Sequence, residues 1–370
     1  LALAEDVPIN GEPYQAERQQ YRDAVQAIRK GRLDDYRALR AGLDNYPLAI
    51  YLDYYDLTAR LSRVRPAEAS AFLAASQGTP LPNRFLSLYL RRLGERSRWR
   101  DFLVVLPREP NSVELKCYHF RAQLAVGNRA TAYAGAEKLW LLGRSQPKAC
   151  DPLFATWIAN GELDDDLVWQ RMLLAFGERQ SSLLRYVARK GGPGLKPWSD
   201  QLQRVYRDPS QLSTRGLDWQ DARTRQLVIA GLSHLARYQP GRALERWQQF
   251  NGALSFTPEE IMKVESAIAL QGMFARSDAL RDWLPGALDR LDDDKLVGIR
   301  LRWALAEQDW RGVRETLPLL SAEAAGQGSW RYWRAVALAD AGRVDEARVI
   351  LRELAGERGF HSFLAADYLQ

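Results

Sequence analysis

Apolar residues recur along this chain at helical spacing, and the strict alternation expected of half-buried strands is hard to find. The clearest case is Trp330 to Leu354, WRYWRAVALADAGRVDEARVILREL. Its spacing predicts a helical hairpin. Trp333, Ala337 and Leu338 share a face of the first helix, Gly342 ends it, and Ala347, Ile350, Leu351 and Leu354 line the second. Small residues just beyond such a turn let the paired helices approach closely. The pattern recurs at Phe120–Trp140, with Gly127 and Ala132, and at Leu232–Trp247, with Tyr238 and Ala243. Gln26–Leu39, with Gly31 and Tyr36, is a weaker copy.

A glycine followed five residues later by alanine resembles the tetratricopeptide repeat. At a period near 34 residues, this length holds about ten hairpins and some twenty helices. The fold class expected is therefore all-α: a superhelical α-solenoid of stacked hairpins, curved because successive pairs rotate by a fixed small angle. Other echoes agree. Trp99-Arg100 and Trp310-Arg311 each open a segment that ends in Leu-Pro, at Leu106-Pro107 and Leu317-Pro318. Thr257-Pro258-Glu259-Glu260 combines a capping hydroxyl, proline at the first helical position and glutamate at the third. Two aspartate runs, Asp164–Asp166 and Asp292–Asp294, precede apolar helices. They lack the spacing of a calcium loop and read as caps and first-turn carboxylates facing the helix dipole. Loops are expected at Ser76–Asn83 and at the Gly/Pro-rich Lys190–Trp198, KGGPGLKPW, with an extended arm over residues 1–13. No sharp boundary interrupts the pattern, so residues 1–370 read as a single domain.

Composition narrows the class. Hydrophobic residues make up 46% of the chain, enough for a long continuous core, and no run approaches the 18–20 apolar residues of a membrane span. The formal charge of +6 invites a polyanionic partner, whether nucleic acid, anionic lipid or a polymer bearing carboxylates. Spread over so large a surface, it is a mild excess. Arginine greatly outnumbers lysine and accompanies abundant Ala, Leu and Gly, a bias that GC-rich coding alone would produce. Leu1-Ala2-Leu3-Ala4 followed by Glu5-Asp6 is read as the tail of a secretory signal. That compartment would permit a disulfide between the only two cysteines, Cys117 and Cys150. Two buried free thiols remain the alternative. Neither cysteine has a second ligand at metal-binding spacing.

Chemistry is sparse. His119, His234 and His361 are scattered, with no HExxH and no triad spacing, and no GxGxxG, P-loop or GxSxG motif occurs. No catalytic, cofactor-binding or metal residue is assigned. Glu265-Ser266 heads an apolar run and superficially matches an acid-carrying Glu-Ser motif, but nothing downstream supplies a cleft. Trp330-Arg331-Tyr332-Trp333-Arg334 would present rings for sugars or bases and guanidinium forks for carboxylate or phosphate. Periodicity favours core packing of its aromatics and a solvated role for its arginines.

Several stretches together carry a family resemblance: KLWLLGRSQPKACDPLF (Lys138–Phe154) with Cys117, DNYPLAIYLDY (Asp44–Tyr54), and Trp330–Leu354 followed by RGFHSFLAA (Arg358–Ala366). The chain resembles the N-terminal U-shaped domain of the soluble lytic transglycosylases of Gram-negative bacteria. The likeness runs from about Tyr21 to the end and weakens over Gly177–Gly241. It implies a periplasmic helical superhelix that closes into a ring with a following linker domain, approached here by residues 358–370. It also implies the Cys117–Cys150 disulfide. Enzymes of this family cleave the bond between N-acetylmuramic acid and N-acetylglucosamine without water, leaving a 1,6-anhydro end. Their single catalytic glutamate lies in a lysozyme-like domain whose Gly-Leu-Met-Gln and Ala-Tyr-Asn-Ala-Gly motifs are not in this sequence. The expectation is a non-catalytic domain that positions peptidoglycan glycan strands, with envelope proteins as further partners and no cofactor. The rival readings are a helical-repeat protein adaptor in the cell envelope and, less favoured, a basic nucleic-acid binder. Nucleic acid is not the expected partner.

Overall fold

The computed structural model describes residues 14–369; the arm expected over residues 1–13 lies outside them. The described residues form twenty-two α-helices joined by short connections and 3-10 turns, with no strand among them. The all-α class follows from the sequence pattern, and within each unit the stacking of neighbouring helices is that of an α-solenoid. The array parts into two compact units, one ending at Leu174 and the other beginning at Ala175.

The first unit contains α1 (Gln15–Arg29), α2 (Leu33–Ala41), α3 (Ala49–Ala59), α4 (Pro66–Ala75), α5 (Leu81–Glu95), α6 (Trp99–Val105), α7 (Val113–Ala125), α8 (Arg129–Trp140), α9 (Asp151–Ala159) and most of α10 (Asp165–Gly177). Alternate helices α1, α3, α5, α7 and α9 each pack on the next, forming one row, while α2 lies on α1, α4 on α5, and α8 on α7. Close approach depends on small residues. A Cβ on Gly94 or Gly135 would fall 2.3 Å from the ring of Tyr118 or Phe120, so an aromatic face lies directly against each helix backbone.

The second unit contains α11 (Ser181–Ala188), α12 (Lys196–Arg207), α13 (Ala222–Ala236), α14 (Pro240–Ala253), α15 (Pro258–Phe274), α16 (Leu284–Leu291), α17 (Asp294–Ala306), α18 (Trp310–Thr316), α19 (Ala322–Ala325), α20 (Gly328–Asp340), α21 (Val344–Ala355) and α22 (Phe360–Leu369). Here α13, α15 and α17 form a row, and α20 packs on α18, α21 and α22.

The hairpin turns have one chemistry. Gly31, Gly127 and Gly342 adopt φ of +70°, +94° and +79°. In each case the next residue's N–H reaches back five positions, as in Arg32 to Ala27, Asn128 to Gln123 and Arg343 to Leu338. This is the Schellman closure. Five residues after each glycine lies the position that must fit against the first helix, and Tyr36, Ala132 and Ala347 are all buried there. Ser97 and Gln308 close the turns before α6 and α18 with the same hydrogen bonds but without glycine. The two Trp-Arg segments thus share a helix of seven residues and the turn that launches it.

Two loop boundaries and one helix face differ from the sequence reading. Leu81-Pro82-Asn83 and Lys196-Pro197-Trp198 are first turns of α5 and α12, because proline's missing N–H has no intrahelical partner there. On α20 the residues facing α21 and α22 are Tyr332, Ala335, Leu338 and Ala339, while Trp333 lies tilted against Trp310, 6.5 Å between ring centroids. Flanked by α18 as well, α20 buries two faces, and a single apolar stripe does not describe it.

Candidate functional site

The sulfur bridge is the chemical landmark of the first unit. Cys117, on α7, is bonded to Cys150, in the turn that leads into α9; their Cα atoms are 4.8 Å apart and neither side chain is exposed. Arg121, one turn further along α7, donates to the Ala149 carbonyl at 3.3 Å and lies over the Trp99 ring at 4.8 Å. Beside the bridge, α8, α9 and α10 build an aromatic block. Trp140 and Trp157 are fully buried with ring centroids 5.8 Å apart, and Phe154 meets Trp140 edge to face. The Trp140 indole N–H donates to the Leu167 carbonyl at 3.1 Å, and the buried Arg171 guanidinium lies 4.1 Å above the Trp140 ring. A delocalised, weakly hydrated cation on an aromatic face tolerates this burial better than an ammonium would.

The scattered groups singled out in the sequence stay apart. Glu265 is buried on α15, where one oxygen accepts from the Trp247 indole at 3.2 Å and the other pairs with Arg290 at 2.9 Å. Both oxygens are held by neighbours, which ties α15 to α14 and α16. Glu265→Ala strands the buried indole N–H and should destabilise the second unit by about 1–3 kcal/mol, while Glu265→Gln, which keeps an acceptor, should cost less. Comparison of the two by chemical denaturation checks this; equal losses would contradict it.

His119 is buried on α7 against Phe102 and Phe120, and His234 lies among Phe176, Tyr206 and Tyr238. Burial pushes both imidazoles below their ordinary range, partly opposed at His119 by Glu109 and at His234 by the Tyr206 carbonyl. His361 is tilted against Tyr332 at 5.8 Å. The folded chain therefore holds His119 and His234 neutral, whereas the unfolded chain protonates them below about pH 6.5. Their contribution to stability is complete above that pH and is lost as pH falls through the depressed folded values. Thermal midpoints should accordingly be flat from pH 8 to 7 and fall below about 6.5, and His119→Phe should flatten that fall.

The aspartate runs are helix caps. Asp164 accepts from the Leu167 N–H, Asp293 caps α17 by accepting from Lys295 and Leu296, and Asp294 is held below the usual carboxylate range by Ser321, which donates from its hydroxyl and its N–H. No cluster of His, Cys, Asp and Glu suited to a metal occurs among the described residues. Thr257 and Glu260 form the reciprocal capping box at α15.

The Trp330–Arg334 segment has a mixed fate. Trp330 is buried, Arg331 pairs with Glu353 and Glu357, and exposed Arg334 reaches the mouth of a cleft of about 680 Å³. The cleft is floored by Trp330, Ala337, Leu338, Leu320 and Ile350. Around it Arg314 pairs with Asp340 and Arg343 with Glu346. An apolar floor with a guanidinium at the rim suits a ligand with an apolar body and an anionic end. The arrangement was not legible from periodicity, because α18, the turn at Leu317–Leu320 and α21 supply part of it.

Comparison with known proteins bears on what this scaffold serves. A family profile described as Cucumovirus coat protein matches residues 90–222, a minority of the chain running from α5 to the start of α13. Far more of the chain is matched elsewhere. The soluble lytic murein transglycosylase of Escherichia coli K12 is 29% identical over 357 residues, covering 95% of this chain and 55% of that protein. The Salmonella typhimurium protein of the same name is 29% identical over 359 residues. Among solved structures, the 70 kDa soluble lytic transglycosylase of E. coli superposes with a TM-score of 0.81 at 28% identity, over 97% of this chain and 58% of that one. An inactive mutant of lytic transglycosylase Slt from Pseudomonas aeruginosa gives 0.80 at 33% identity, over 95% and 57%. Over nearly its whole length the chain is similar in sequence and fold to these soluble lytic transglycosylases, and it spans a little more than half the length of the relatives it matches.

Proposed function

We propose that residues 1–370 act as the non-catalytic ring domain of a periplasmic peptidoglycan lytic transglycosylase. In this reading the chain positions glycan strands while a lysozyme-like domain outside these residues breaks the bond between N-acetylmuramic acid and N-acetylglucosamine, forming the 1,6-anhydro product. The observation that carries the reading is the nearly end-to-end match to transglycosylases at 28–33% identity and TM-scores of 0.80–0.82. The engagement of both Glu265 oxygens by Trp247 and Arg290 supports placing the catalytic acid elsewhere. A disulfide supports an oxidising compartment, and no helix among the described residues is long and apolar enough to cross a membrane.

The test is direct. Purified chain incubated with peptidoglycan sacculi should co-sediment with them and release no 1,6-anhydromuropeptide detectable by mass spectrometry. Release by the pure chain would refute the division of labour, and absence of sedimentation would refute the positioning role. A second reading, an envelope protein adaptor, is favoured by the Trp330–Arg334 cleft, whose floor is mostly apolar. Under that reading, Arg334→Glu abolishes capture of an envelope protein while leaving sedimentation with sacculi unchanged.

A further inference from the structure

The connection between α11 and α12 encloses a second cleft, of about 370 Å³, that none of the readings above uses. Arg185 lines it from α11 and Arg189 from the residue that caps that helix, Lys196 and Asp200 from the start of α12, and Gly192 from the loop between. Lys196 and Asp200 pair with each other at 2.8 Å. The guanidiniums of Arg185 and Arg189 make no ion pair among the described residues, and both side chains are exposed. Spaced four residues apart, they stand one above the other on one helix face, and each fork matches a carboxylate in a bidentate manner.

The cleft also holds Ser199, which is 95% buried by its 5% residual exposure and lines the cavity wall. Buried helical hydroxyls elsewhere in the chain bond back to the carbonyl four residues earlier, as Ser76 does to Phe72 and Thr316 to Gly312, each at 2.7 Å. The Ser199 hydroxyl makes no such bond and has no other partner among the described residues. The hydroxyl opens onto the cleft and is free to donate to a ligand acceptor there. The positive end of α12 adds to the same field, and its first turn carries no carboxylate. That end is fixed in place, since the Trp198 indole donates to the Thr224 hydroxyl on α13 at 3.0 Å.

We propose that this cleft binds a small ligand carrying two carboxylates, such as the acidic end of a short peptide, with one carboxylate on each guanidinium and the Ser199 hydroxyl donating to one of them. Two unpaired forks one helical turn apart favour a dicarboxylate over a single compact anion, and the volume suits a dipeptide better than a bare ion. The site rests on these residues alone and stands whether or not the chain handles glycan.

Isothermal titration calorimetry on the whole chain tests it with N-acetyl-alanyl-glutamic acid, the same dipeptide with both carboxylates amidated, and inorganic phosphate. The diacid should bind, and the diamide should bind at least about tenfold more weakly. Arg185→Gln with Arg189→Gln should weaken the diacid by at least about tenfold, and Ser199→Ala by roughly threefold, with circular dichroism unchanged. No heat with the diacid, equal binding of diacid and diamide, or an unaltered affinity in the double arginine variant would overturn the proposal. Phosphate binding more tightly than the diacid would overturn the dicarboxylate assignment.

Discussion

Replacing Cys117 and Cys150 together by alanine should lower the stability of the first unit by about 4 kcal/mol, the chain-entropy value for freeing a loop of this length. The loss arises mainly in the unfolded chain, which regains the freedom that the bond removes, and two fully buried sites also lose packing against their neighbours. Reduction of the intact protein by dithiothreitol should reproduce most of the effect. Urea unfolding followed through hydrogen exchange in α7 and α9 checks it. An oxidised and a reduced chain with the same midpoint would show that the bond adds nothing to the packing around it.

The second large effect is expected at Trp140. Trp140→Ala removes a fully buried indole, the hydrogen bond to the Leu167 carbonyl and the ring face beneath Arg171, and should cost about 3–5 kcal/mol. The charge makes this position harsher than an ordinary core site, because a cation set on an aromatic face would border a cavity instead. Trp140→Phe keeps a ring under the guanidinium and loses the indole N–H, so its cost should be nearer the 1–3 kcal/mol of a stranded acceptor. A Trp140→Ala loss below about 1 kcal/mol would mean that the block collapses around the vacancy, contrary to its packing.

The hairpins were legible in the sequence wherever the turn uses glycine. Gly31, Gly127 and Gly342 announce the left-handed residue, and Tyr36, Ala132 and Ala347 mark the contact beyond it. The same closure at Ser97 and Gln308 is invisible to a glycine search, although the repeated Trp-Arg start pointed to it. The starts of α5 and α12 were hidden inside the expected loops because proline is as common in loops as in a first helical turn, where Pro82 and Pro197 stand. The family likeness was readable because contiguous stretches carried it. The clefts were not, since Arg185 and Ser199 come to line one cavity only through the path of an intervening loop, and the floor beside Arg334 is completed by Leu320 and Ile350 from outside its own helix. Likewise nothing in the spacing of Trp140 and Arg171 shows that one rests on the other.

The sulfur bridge has a mechanical corollary. In a stack held by side-chain contacts, a pull on the two ends peels hairpins one at a time, yet the bond from α7 to the entrance of α9 spans a whole repeat. The 33-residue separation it closes is withheld from extension, so a fully stretched oxidised chain falls short of the reduced one by about 110 Å. Tension on a tethered polymer would therefore open this scaffold somewhere other than at that joint, which marks the stretch from α7 to α9 as the fixed anchorage of the array.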